Sequence, residues 1–177
     1  MTTHPAKKIS EYKAIRIFIR KKLIWYMLPN LVFNGFIPYY SFENPASVAL
    51  FKGEFCFARF ILPMALFIPL AITVDFLKKA TEFIVATPLG LEGKLDSLNT
   101  SLFLRLGLYN GLTSLAITFI GLLFIHYIVP PKYTFDGALL ACFNAVFACL
   151  IAVYYTFWST HKLNSLIQKS DTEIKGQ

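Results

Sequence analysis

Four long apolar stretches, at about residues 23–42, 59–77, 104–129 and 135–158, are separated by short basic or polar segments. Each is close to the ~20 residues that a helix needs to cross the ~30 Å hydrocarbon core of a bilayer. The chain is therefore expected to be all-α: a polytopic membrane protein whose four transmembrane helices form an antiparallel bundle. With 56% hydrophobic and 15% charged residues and a mean hydropathy of +0.56, a soluble domain is excluded. Residues 1–22 form a basic segment, 23–160 a single membrane domain and 161–177 a tail. No piece outside the spans approaches the ~50 residues at which a separate core becomes plausible.

The placement of charge orients the chain. Fourteen of the seventeen basic residues fall in 1–22, in the stretch Lys78–Arg105 and in the tail, leaving only Lys52, Arg59 and Lys132 for the other two connections. Basic loops stay cytoplasmic, so both termini are expected inside, in the inner membrane of a cell. The net charge of +7 is thus a topology signal and does not point to nucleic acid.

Local signals set the expected element ends. Residues 1–9 are expected to be unstructured, with a helix from Ser10 carrying Lys13, Arg16 and Arg20 on one face. Such a basic flank orients a span or lies on anionic headgroups. Small residues at Ser47-Val48-Ala49 raise a cleaved signal peptide, but Pro29, Asn30, Asn34 and Pro38 interrupt the preceding run, so the first span is read as retained. Asn44-Pro45 and Lys52-Gly53 predict a short surface helix between them. The second span is expected to begin near Glu54, to bend at Pro63 and Pro69, and to continue to about Ala86. Asn99 or Ser97 is expected to cap the third span, Pro130-Pro131 to end it, and the last eight residues to be disordered. Because the connection after Pro130 is short, spans three and four are expected to be antiparallel neighbours. Echoes such as Asn34-Gly35 with Asn110-Gly111, and Cys56-Phe57 with Cys142-Phe143, suggest two repeated hairpins.

In lipid there is no hydrophobic drive between helices, so small residues that permit close approach do the packing. Gly107, Gly111, Ser114, Thr118 and Gly121 form one such stripe, and Gly137, Ala141, Ala145, Ala148 and Ala152 another. The two stripes are expected to face each other or a second subunit. Polar groups within spans are costly, which makes Asn30, Asn34, Asn110 and Asn144 candidates for a polar pathway or for interhelical ties. Asp75 is the single acid within a span, and Lys78 and Lys79 are expected to neutralise it within its own helix. Arg59, Glu54 and His126 are expected at the outer face, the first two in an ion-pair cluster with Glu43 and Asp136.

Cys56, Cys142 and Cys149 have no metal or redox spacing, and no phosphate loop or hydrolase motif is present. The chain is therefore not expected to be an enzyme or to hold a cofactor or metal. Two functions fit the pattern. One is a small permease-like carrier acting as an oligomer, using the amides and the broken second span. The other is a non-catalytic accessory protein that packs its small-residue faces against a larger membrane partner.

Overall fold

The computed structural model describes the backbone of residues 5–86, 99–130 and 132–175, and side chains over 13–86, 99–130 and 132–168. It is all-helical: α1 (Pro5–Ser41), α2 (Ala58–Ala86), α3 (Thr100–Ile128) and α4 (Gly137–Lys175). Three of these, α2, α3 and α4, are long and apolar enough to cross a membrane, which makes this a membrane protein. The helix α1 has the length but not the composition, because Pro29, Asn30, Asn34, Pro38 and its tyrosines dilute the apolar run.

Several expected ends hold. The helix α2 stops at Ala86, and α3 stops at Ile128, just before the proline pair. Asn99 caps α3, its side-chain oxygen accepting from the Leu102 N–H at 2.8 Å. Others move. Helix α1 already runs from Pro5, α4 reaches Lys175, and α2 starts at Ala58 rather than at Glu54. Residues 87–98, the expected inner connection, lie outside the described residues.

Residues 44–51 do not form the expected surface helix. Val48 instead pairs with Phe135 in an isolated antiparallel bridge, each N–H donating to the other's carbonyl at 2.8 Å. The Gly137 N–H donates to the Pro45 carbonyl at 2.6 Å, so the first connection lies across the start of α4. A methyl group at Gly137 would sit 2.8 Å from that same carbonyl oxygen, and only glycine fits.

The helices do not pair as their order suggests. The main seams join α2 to α3, α1 to α4 and α2 to α4, whereas α1 and α2 touch only locally. Among the described residues no extended seam joins α3 to α4, and the expected neighbours touch only locally, as where the Tyr155 hydroxyl reaches the Asn110 carbonyl. The parallel pair α2 and α4 occupies the centre, with Ile61, Met64, Ile68, Ile72, Ala148 and Ala152 in the main core. A second cluster at the other end gathers Phe76, Leu77, Ala80, Phe103 and Leu163, with Phe18 against them. Both connections that the structure shows therefore lie at one end, and the start of α1 and the end of α4 lie at the other.

The small-residue stripes serve this arrangement and do not face each other. Gly107 and Gly111 let the α3 backbone approach α2: a methyl at Gly111 would lie 2.5 Å from the Leu66 carbonyl oxygen, and one at Gly107 2.9 Å from that of Leu70. On α4, Ala145 packs on Gly35 of α1, while Ala141, Ala148 and Ala152 fill the core beside α2. Ser114 and Thr118 are both buried. Gly121 meets nothing.

The packing scheme has the form of a two-fold repeat, since the first helix of each hairpin packs on the second helix of the other. The sequence echoes do not follow it. Asn34 lies about two turns from the connecting end of α1 and Asn110 about five turns from that of α3.

Gly111→Ala is expected to lower stability by about 1–3 kcal/mol, because the α2 backbone has to move away. Gly121→Ala is expected to be neutral, or stabilising by up to about 1 kcal/mol from helix propensity. Unfolding midpoints in mixed detergent micelles separate the two.

Candidate functional site

Along α1, Lys22, Tyr26, Asn30 and Asn34 recur every four residues and so share one face of the helix. That face turns toward α2 and α4. The Lys22 ammonium lies 2.9 Å from Asp75 Oδ2, and the Tyr26 hydroxyl donates to the same oxygen at 2.6 Å. Lys22 also sits over the Tyr26 ring, 5.5 Å from its centroid. Asp75 is thus ion-paired from another helix and makes no direct pair with Lys78 or Lys79 of its own; Lys79 acts on it only at longer range and reaches Glu82 at 4.0 Å. Side-chain direction decides this: positions 78 and 79 are exposed, whereas Asp75 borders the α1 seam.

Farther along, the Asn30 amide donates to the Tyr26 carbonyl at 2.7 Å. The Asn34 amide donates to the Asn30 carbonyl at 3.0 Å and to its side-chain oxygen at 3.2 Å. Asn144 of α4 closes the run, its amide donating to the Asn34 carbonyl at 2.9 Å. The Asn144 side chain is fully buried, and its Oδ1 has no hydrogen-bond partner among the described residues. A buried acceptor left open in this way is costly, and a bound donor would relieve it.

Beside Asn144 the seam between α1 and α2 opens into a cleft of about 330 Å³. Asn34 and Asn144 supply its amides, Phe33, Ile37, Phe60 and Phe67 its apolar walls, and Arg59 its one cation. Arg59 is exposed, donates to the Glu54 carbonyl at 2.7 Å and lies over the Phe55 ring. It forms no ion pair with a described carboxylate, so the expected outer cluster with Glu54, Glu43 and Asp136 is absent among the described residues. Asp136 instead caps α4, accepting from the Leu139 N–H at 2.9 Å. His126 packs edge-on against Phe51, away from this cleft.

Asn110 belongs to a different place. It is buried and donates to the Thr73 hydroxyl at 2.9 Å, while its carbonyl accepts from the Tyr155 hydroxyl at 3.3 Å. It ties α2, α3 and α4 together. The structure therefore unites Asn30, Asn34 and Asn144 and leaves Asn110 apart. Sequence reasoning took Lys22 only as part of the basic segment 1–22 and did not single out Tyr26; their four-residue spacing with Asn30 and Asn34 is the signal that places them. Thr73 and Tyr155 gave no such signal.

Fold and site define a helical membrane protein with a polar seam between two loosely packed helices. No protein-family model, curated protein or solved structure matches the chain.

The Lys22–Asp75 pair is partly exposed, so its worth falls between that of surface and buried pairs. Lys22→Met and Asp75→Asn are each expected to cost about 1–3 kcal/mol, with a coupling of at least about 0.5 kcal/mol in the double-mutant cycle. A cycle that closes without coupling would show that the two groups act independently.

Proposed function

We propose that this chain is a small carrier in the plasma membrane, in which α1 crosses the bilayer with the other three helices. The basic end, with both termini, faces the cytoplasm under the positive-inside rule. The observation that carries the reading is the divided seam between α1 and α2. At the basic end it is fastened by Lys22, Tyr26 and Asp75 and by Phe18 stacked on Phe83 at 4.8 Å. At the connecting end it is open around Asn34 and Asn144.

A seam shut at one end and open at the other is one half of an alternating-access cycle. Releasing Lys22 and Tyr26 from Asp75 would open the basic end, and closing Phe33 and Ile37 onto Phe60 and Phe67 would shut the other. The cleft volume is at the small end for ligand sites. One cation, two amides and aromatic walls suit a small organic anion with hydrogen-bond donors, such as a hydroxy or amino acid. Four helices enclose little by themselves, so the working unit is an oligomer with α3 at its interface.

Purified protein in liposomes is expected to move at least one of a panel of labelled hydroxy and amino acids. Asn144→Leu is expected to abolish uptake while changing stability by no more than about 1 kcal/mol, since it removes an open acceptor together with one hydrogen bond. Liposomes that accumulate none of the panel would overturn the reading.

A second reading, an accessory protein bound to a larger membrane partner, is favoured by one feature. The face of α3 around Gly121, with Ile117, Ile120 and Phe124, is exposed and has no described helix against it. Gly121→Leu would then strip a co-purifying partner and leave the fold intact. Gly111→Leu cannot make this distinction, because that position is used within the chain.

A further inference from the structure

The largest cleft among those described lies far from Asn144, at the basic end, where α1 meets α4. Its volume is about 530 Å³, and Lys13, Arg16, Arg20, Ile15, Ile19, Leu23 and Phe157 line it. The three cations stand three and four residues apart, on adjoining turns of one face. None forms an ion pair with a described carboxylate, since the described pairs use Lys22 and Lys79. The floor is apolar: Ile19 and Leu23 of α1, and Phe157 projecting from α4.

We infer that this cleft binds an anionic phospholipid, with its phosphate between Arg16 and Arg20 and one acyl chain laid over Leu23 and Phe157. Charge complementarity and position carry the assignment. The guanidinium groups offer forked donors that match phosphate oxygens, and Lys13 adds a third positive charge. The cations sit just beyond the point where α1 turns apolar, which is the depth of headgroups when that helix spans a bilayer. A soluble phosphate would satisfy the rim but would leave Ile19, Leu23 and Phe157 bare. A zwitterionic lipid would cover the floor but would bring an ammonium group to a cationic rim. Only an anionic amphiphile meets both halves. The site is separate from the cleft at Asn144, and it stands whether or not the chain carries a solute.

The test is lipid retention, measured by native mass spectrometry of the full chain released from nanodiscs of phosphatidylglycerol and phosphatidylcholine mixed equally. The expected result is one tightly held phosphatidylglycerol per chain. Retention is expected to fall by on the order of tenfold in R16Q/R20Q. K78Q/K79Q, which removes two cations at the same end outside the cleft, is expected to leave it unchanged. Helicity and monodispersity of each variant are read alongside, and R16K/R20K restores charge if the double glutamine variant misfolds. Partial retention in that lysine variant supports the site. Equal retention of phosphatidylcholine, or unchanged retention in R16Q/R20Q, overturns it. Displacement of the lipid by millimolar glycerol phosphate would make this a soluble-phosphate site, and crosslinking of Leu23→Cys to a second copy would make it a protein interface. Either result also overturns the proposal.

Discussion

Lipid gives apolar helices no reason to prefer one another over acyl chains, so contact has to come from how closely backbones can approach. In this protein that approach is concentrated at Gly107 and Gly111 of α3 against Leu66 and Leu70 of α2, and at Gly35 against Ala145 between α1 and α4. Around these contacts, buried hydroxyls and amides add directed ties. Asn110 to Thr73 joins α3 to α2, and Tyr155 to Asn110 brings in α4. The large apolar residues, by contrast, mostly point outward: Leu108, Ile120 and Phe124 on α3, and Phe143 and Leu150 on α4. Small and polar residues set the close approaches, and the large side chains of α2 such as Ile61, Met64, Ile72 and Phe76 fill the core beside them. The big hydrophobes of α3 and α4 form much of the surface that meets lipid.

The seam between α1 and α2 lacks such close backbone contacts, and this is why it holds the polar face. Where two helices do not interlock, polar groups along the gap take over the joining: Asp75 of α2 draws in both Lys22 and Tyr26 of α1. Asn144 ties α4 to Asn34 at the border of this gap, in the neighbouring seam that Gly35 and Ala145 pack. A joint made of polar bonds has alternative partners, including water and ligand, which a glycine-packed joint does not. Motion, if the protein moves, is cheapest here.

Much of the one-dimensional structure was legible. The Asn99 cap, the helix ends at Ala86 and Ile128, and the costly amides all follow from local chemistry. The pairing of helices was not. In an alphabet dominated by Leu, Ile, Phe and Ala, the Gly107–Gly111 stripe shows that something comes close, but not which helix. The partner of Asp75 lies 53 positions away, and lysines at three and four residues offered a nearer answer. Residues 44–51 carry good helix-start and helix-stop signals, yet Val48 finds its hydrogen bonds in Phe135, beyond the reach of any local rule. The last eight residues looked disordered, whereas α4 runs on to Lys175, continuing from the turns that Leu163 and Ile167 pack against Phe18, Phe76 and their neighbours.

The bridge between Val48 and Phe135 also bears on how the protein is made. Each helix finds its main partner outside its own hairpin, and α1 packs against α4, which follows both α2 and α3 in the chain. During translation α1 must wait for α4 to emerge before it gains its main seam and before the Asn144 amide reaches the Asn34 carbonyl. A nascent chain that stalls before Gly137 therefore leaves α1, the most polar of the four helices, without its main mate.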